Sequence, residues 1–288
     1  CGKKSIKWQF KKRIIFLVNI VMSEEAINYK KVNQDLNYKK MGLDELNKLP
    51  LYLGIIDFKI TKTSFKMLNI FNDDASAVKY FWHDSFDLTS LDLWYELSRE
   101  EGIYIDIGAH TGLYTMTAIK SNKLNNVISI EPYYLNMARL ITNLRLNKIE
   151  KNVQTFMLAV SNSNSVQKFN LKTAHSYLSK GGKIDKEGEP TKTIKLDSID
   201  FTKTKKRING IKIDTEGEDL KVLQGSFQLI KKFRPDIIIE VRNENKSDIQ
   251  KFFEKLDYGL FSVSNLKNEI NLNNYIIDRV SNIYCKPS

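Results

Sequence analysis

Tyr104-Ile105-Asp106-Ile107-Gly108-Ala109-His110-Thr111-Gly112-Leu113 is the stretch whose reading decides the fold. Ile103, Tyr104, Ile105 and Ile107 favour a β-strand that carries one acid, Asp106, near its end. A turn with two glycines follows, and Leu113, Met116, Thr117 and Ile119 then recur at helical spacing. Glycine tolerates positive φ and lets a ligand approach the backbone, and a helix start offers unpaired N–H groups, so such a turn can cradle a nucleotide. It can equally be an ordinary strand-to-helix bend, and the rest of the chain has to decide.

Downstream, strands and helices alternate. Residues 127–131 read as a second strand stopped by Pro132. Residues 136–146 follow as a helix with Met137, Leu140, Ile141 and Leu144 on one face, then residues 153–160 as a third strand. Residues 211–214 and 237–241 read as the fourth and fifth strands, each followed by an apolar-periodic helix. Two last strands, near 259–263 and 280–285, have no helix pattern between them and can join only as a hairpin. Regular alternation predicts a mainly parallel sheet covered on both faces, because parallel crossovers need an intervening helix. The expected fold is α/β and Rossmann-like: a seven-stranded, mainly parallel sheet with an antiparallel C-terminal strand pair, the feature that separates a class I methyltransferase-type sheet from a dinucleotide-binding one. Between 162 and 196 the alternation breaks into two strands, 166–171 and 191–196, around a polar loop. Upstream, residues 51–102 read as a lead-in hairpin and a helix capped by Thr89 or Ser90, and residues 1–50 as a helical extension of unknown role.

Composition narrows the function. The 288 residues are 42% hydrophobic, ample for a full core. Lys+Arg 45 against Asp+Glu 34 gives +11, but the lysines are scattered among asparagines, which reads as a solvated basic surface before an anionic substrate or a membrane surface. No aromatic-basic strip or Asn-Pro-Pro-Tyr tetrapeptide points to nucleic-acid methylation. The two cysteines, Cys1 and Cys285, can build neither a disulfide framework nor a metal cluster, so a reducing, cytoplasmic compartment is expected. No run approaches the ~18 apolar residues of a membrane span. The apolar residues 14–22, behind Lys11-Lys12-Arg13 and without a following cleavage site, read as a packing or interfacial helix, with peripheral membrane contact through residues 7–22. The chain opens on Cys1, not Met, so a fragment or processed form is expected.

In open parallel sheets, ligands bind beyond the carboxyl ends of the strands where strand order reverses. The residues to weigh are therefore 106–112, Glu131, 159–161, 214–218 and Glu240. Glu131 stands 19 residues after Gly112 (131 − 112), where an acid can accept from both hydroxyls of a ribose; alternatively it favours the next helix start. Asp106 reads either as meeting a positively charged part of the ligand or as capping the turn.

These motifs, with Ile130-Glu-Pro-Tyr-Tyr-Leu-Asn, Asn143 and Asn147, Leu158-Ala-Val-Ser-Asn, Leu196-Asp-Ser-Ile, Ile211-Lys-Ile-Asp-Thr-Glu-Gly-Glu-Asp and Val222-Leu-Gln-Gly, resemble the FkbM family of S-adenosylmethionine-dependent methyltransferases. The resemblance runs from about Phe65 to Cys285. It implies methyl transfer to a hydroxyl of a sugar, glycan or natural product. Asp106, Gly108 and Gly112 would cradle the methionine part of S-adenosylmethionine, Glu131 would hold its ribose, and Pro132 and Tyr133 would border the adenine with Ala159 and Val160 nearby. His110 departs from the asparagine usual at its position; either side chain can hydrogen-bond.

Methyl transfer to a hydroxyl needs in-line alignment and a group that removes the proton. Candidates are Asp214 and Glu216, with Glu218, Glu240 and His175, the last in the polar loop; alternatively Asp214 and Glu216 cap the next helix, pair with Lys212 or bind a divalent metal, which is not predicted. Asp197 reads as structural. The competing functions are an NAD(P)- or nucleotide-sugar-dependent Rossmann-type enzyme and a non-catalytic S-adenosylmethionine-binding protein. The first lacks glycines at the first, third and sixth positions of the turn.

Overall fold

The computed structural model describes residues 23–171, 182–201 and 204–288. Its N-terminal part holds a helix over residues 23–32 (α1), a short helix Leu43–Leu46 (α2), an antiparallel hairpin of Leu53–Lys59 (β1) and Ser64–Ile70 (β2), and helices Ala75–His83 (α3) and Leu88–Leu97 (α4). Alternation then begins with Ile103–Ile107 (β3), Leu113–Ser121 (α5), Asn126–Ile130 (β4), Tyr134–Leu146 (α6) and Val153–Phe156 (β5). Four strands follow, Ala159–Val160 (β6), Ser165–Leu171 (β7), Gly182–Asp185 (β8) and Glu189–Ile194 (β9). The chain returns with Ile208–Ile213 (β10), Asp219–Gln224 (α7), Phe227–Phe233 (α8), Asp236–Val241 (β11), Lys246–Lys255 (α9), Tyr258–Ser262 (β12), Asn265–Glu269 (β13) and Ser281–Pro287 (β14).

The main sheet has eight strands in the order β13-β12-β14-β11-β10-β3-β4-β5. Strands β3, β4, β5, β10 and β11 pair in parallel, and β14 runs antiparallel to both its neighbours, β11 and β12. Two expectations are corrected. The sheet has an eighth strand, β13, whose residues are all exposed and polar enough to leave no apolar signal. The expected antiparallel pair of residues 259–263 and 280–285 is present as β12 with β14, but β13 intervenes in the chain, so the hairpin is made by β12 with β13 and the reversed β14 lies inside the sheet. The expected third strand is likewise two elements. It leaves the main sheet after Phe156, and Ala159–Val160 pairs with β9 in a separate four-stranded sheet, order β6-β9-β7-β8. A continuous β-type run does not show where a chain passes from one sheet to another.

Both faces of the main sheet are covered, which is why its central strands are almost unbroken apolar runs. Ile103, Ile105 and Ile107 share a core with Ile211, Ile213, Ile237 and Ile239 against α7, α8 and α9. Tyr104 faces the other way, with Leu91, Trp94, Met116 and Leu140. Asn143 and Asn147 fasten the lead-in hairpin to α6: Asn143 Oδ1 accepts the Leu68 N–H at 2.9 Å, and Asn147 Oδ1 accepts the Lys66 N–H at 2.8 Å. A third, small core of Ala26, Tyr38, Leu46, Val78 and Trp82 packs the N-terminal helices onto α3. Among the described residues no helix is long and apolar enough to cross a membrane, and residues 7–22, where membrane contact is expected, lie outside them.

Candidate functional site

Strand order reverses between β3 and β10, so the site is expected where their carboxyl ends meet. Gly108 has φ 77, and a Cβ there would lie 1.7 Å from the Asp214 carbonyl oxygen. Only glycine allows the turn to touch the loop after β10. The Gly108 and Ala109 N–H groups both donate to the Ile130 carbonyl, at 2.9 and 3.0 Å. His110 follows with φ 49, a left-handed conformation uncommon outside glycine, and its N–H donates to Glu131 Oε2 at 2.9 Å. Glu131 Oε1 accepts from the Tyr133 N–H at 2.9 Å and Asn136 Nδ2 at 3.2 Å. Burial raises the pKa of this carboxyl, against the opposing pull of His110 and of its donors.

These residues open onto a continuous cavity of about 1210 Å³. Of the residues singled out from the sequence, Gly108, His110, Glu131, Pro132, Ala159, Val160, Asp214, Glu216, Glu218 and Glu240 line it. Three others do not. Asp106 is buried and turned toward α5, where its Oδ2 accepts from Thr115 Oγ1 at 2.6 Å; desolvation pushes its pKa up to about 6. Gly112, φ 98, caps α5 and faces Leu140. Tyr133 gives its N–H to Glu131, while its ring packs edge-on against Tyr134 at 5.1 Å. His175 lies outside the described residues.

The wall beside Glu131 fits an adenosyl group. Thr111 Oγ1 and Asn136 Oδ1 are buried there without a hydrogen-bond partner, polar atoms that a ligand can satisfy. Pro132, Leu158 and Val160 add apolar surface for a flat ring.

Beyond the turn lies a charged cluster that the sequence only partly announced. Lys212, 1% exposed, donates from Nζ to the Ile213 carbonyl and Asn282 Oδ1, each at 3.2 Å, and to Asp214 Oδ2 at 3.4 Å. Its ammonium lies 4.9 Å from the Tyr114 ring centre. Burial pulls its pKa down, but Asp214, Asp87, Glu240 and Asp106 outweigh that and hold it above the ordinary value. Asp87, the residue before α4, replaces the expected Thr89 or Ser90 cap; its carboxylate accepts from Ser90 Oγ and the Tyr114 hydroxyl. Arg242 Nη2 donates to Glu216 Oε2 and Glu240 Oε1, both at 2.8 Å. Desolvation first, and Asp214 second, raise Glu240 to about 7. Lys212, a charge in the middle of an apolar strand, was named from the sequence as a pairing partner, and it does pair with Asp214; the other members were missed. Asp87, Tyr114, Arg242 and Asn282 come from four separate elements or loops, and only folding brings them together.

Asp197, expected to be structural, accepts the Gln228 and Leu229 N–H groups at 3.0 and 2.8 Å at the start of α8. Among the described residues no three His, Cys, Asp or Glu side chains are arranged to hold a metal ion.

A mainly parallel sheet with a reversed strand, β14, set between β11 and β12, and an acid from the second strand of the alternation locking a glycine turn at the switch point, define a class I methyltransferase-type fold. Residues 106–263 match the methyltransferase FkbM domain, and the chain belongs to that family. Among solved structures it is similar to methyltransferase FkbM from Methylobacillus flagellatus KT (15% identity, TM-score 0.47, covering 72% of this chain and 52% of that one). It is also similar to precorrin-6y C5,15-methyltransferase from Geobacter metallireducens GS-15 (10%, TM-score 0.43, covering 71% and 90%). A third is the Pyrococcus abyssi tRNA (uracil-54, C5)-methyltransferase in complex with S-adenosyl-L-homocysteine (11%, TM-score 0.43, covering 80% and 43%). The chain thus spans about half the length of the first of these. No curated protein sequence matches it.

Proposed function

We propose that this protein is an S-adenosylmethionine-dependent O-methyltransferase acting on a hydroxyl of a sugar, glycan or small natural product. One observation carries the reading: Glu131 and the Asp214–Glu216–Glu240 carboxylates face the same cavity from either side of the turn. Glu131, already fixed by three donors, keeps lone-pair capacity for the ribose hydroxyls. Thr111 and Asn136 offer the polar atoms next to it, and Pro132, Leu158 and Val160 flank the adenine. Asp106 acts from behind the turn, through Thr115, to hold the start of α5. S-adenosylmethionine supplies an electrophilic methyl group on a sulfonium. Carboxylates at the ends of β10 and β11 suit that positive charge.

On the acceptor side, Asp214 would orient the hydroxyl and Glu240 would accept its proton. A carboxyl raised to about 7 serves this role near neutral pH because both of its protonation states are populated. Arg242 holds Glu240 in place and shares its charge with Glu216. The family membership and the reversed strand β14 favour this reading over a nicotinamide-dependent one. Calorimetric titration with S-adenosylhomocysteine, followed by a methyl-transfer screen over glycans, nucleotide sugars and hydroxylated metabolites, tests it. Saturable binding and a methylated hydroxyl are expected, whereas absence of binding would overturn the reading.

A further inference from the structure

The cavity continues past the carboxylates to a far wall that lies mostly outside the matched methyltransferase domain. The loop from Lys39 to Gly42 with the first residues of α2, the inner side of α3 and Arg279 line it. Packing fixes this loop: Tyr38 lies against Trp82 at 5.2 Å between ring centres, Leu46 is fully buried, and Lys30 Nζ donates to Asp84 Oδ1 at 2.6 Å. His83 hydrogen-bonds the Met41 backbone, and its Nε2, in the same wall, is buried without a partner.

The two ends of the cavity carry opposite charge. At the sheet end, the carboxylates of Asp87, Asp214, Glu216 and Glu240 outnumber the cations Lys212 and Arg242. At the far wall, Lys39, Lys40 and Arg279 form no ion pair among the described residues, and the Lys79 ammonium lies 5.4 Å from the Phe86 ring centre. The wall's acids, Asp44 and Glu45, are outnumbered by Lys39, Lys40, Lys79 and Arg279; Glu45 Oε2 is turned to the Gly42 N–H, which it accepts at 2.8 Å, and Asp44 is also partnered. Burial holds the His83 pKa low; although its bond to Met41 opposes this, Lys79, Lys30 and Lys39 push the same way as burial, so the lysine fields converge on the wall. Lys39, Lys40 and Arg279 are exposed along the mouth of this wall, and cations gathered around a concave surface focus positive potential.

We propose that the far wall binds an anionic group of the acceptor, phosphate or carboxylate, through Lys39, Lys40 and Arg279, with His83 Nε2 as a further polar contact. The acceptor is then a hydroxylated anion that spans the cavity, its charged end on the N-terminal loop and its hydroxyl at Asp214 and Glu240. This rests on the methyltransferase reading for the hydroxyl end alone.

The test titrates inorganic pyrophosphate and citrate separately into the full chain at low salt, with and without S-adenosylhomocysteine. Binding of at least one is expected, and which of the two binds distinguishes phosphate from carboxylate. The Lys39→Ala/Lys40→Ala/Arg279→Ala variant should bind at least about tenfold more weakly, with S-adenosylhomocysteine affinity unchanged. A control variant with the same loss of charge, Lys123→Ala/Lys151→Ala/Lys267→Ala, alters exposed lysines away from the cavity and should retain anion binding within about twofold. No binding of either anion, or an equal loss in the control, overturns the proposal. Failure of S-adenosylhomocysteine alone to bind would strike the methyltransferase reading and leave the anion titration of the unloaded chain to be judged separately.

Discussion

Glu131 holds His110 from the end of the neighbouring strand: its Oε2 accepts the His110 backbone N–H at 2.9 Å. The carboxylate thereby stabilises a left-handed residue in the turn and presents itself to the cavity in one orientation. Replacing it by glutamine puts an amide N–H against either the His110 or the Tyr133 N–H. Glu131→Gln and Glu131→Ala should each weaken S-adenosylhomocysteine binding by about 1–3 kcal/mol, the range for a lost charge-assisted hydrogen bond. Calorimetry on the two variants measures this. Affinity unchanged in both would remove Glu131 from the cofactor side.

The alternation of strands and helices from Ile103 to Leu256 was legible because central parallel strands are apolar on both faces and their helices on one. The turn and Glu131 were legible for a related reason, since glycine and acid positions at strand ends follow from chain order. Asp106 shows the limit. Its place at the end of a strand suggested a ligand contact, but the pleat turns it to the face of the sheet that α5 covers, where Thr115 meets it. Strand β13 was invisible because nothing in Asn265–Glu269 is buried. Asp87 and Arg242 could not be read as site residues, since their partners, Tyr114 and Glu216, are distant in sequence. The wall formed by residues 39–45 was hidden for the same reason, as it depends on Tyr38 and Leu46 docking on α3.

The lead-in hairpin is joined to the core by a buried ion pair. Arg139 on α6 donates from Nη1 and Nη2 to the two oxygens of Asp73, at 3.1 and 2.7 Å, and from Nη1 to the Leu68 carbonyl at 2.7 Å. Both side chains are under a tenth exposed, at 8% and 9%. Asp73→Ala leaves the guanidinium buried without its counter-charge, which should cost about 3–5 kcal/mol of stability. Urea unfolding of the variant measures it. A loss below about 1 kcal/mol would mean that water reaches Arg139 freely, as at a surface pair.

Glu240 gives the site a pH dependence whose sign can be worked out. Its folded pKa, about 7, lies above its ordinary value of 4.5, through desolvation first and then the field of Asp214. The stability it contributes is therefore fully present below the ordinary value and is lost as pH rises through about 7. Catalysis runs the opposite way, because a proton acceptor must be ionised. In the free enzyme kcat/KM should climb about tenfold per pH unit below that value and level off above it. A bound sulfonium favours the ionised carboxylate, so the corresponding limb in kcat should lie at lower pH. Glu240→Gln should reduce turnover by about 10²–10⁴-fold and remove the limb, the usual effect of losing a general base. Rates of methyl transfer by both proteins between pH 5 and 9 test this. A limb that survives unchanged in Glu240→Gln would move the base to another group, with Asp214 across the same cavity the first to replace.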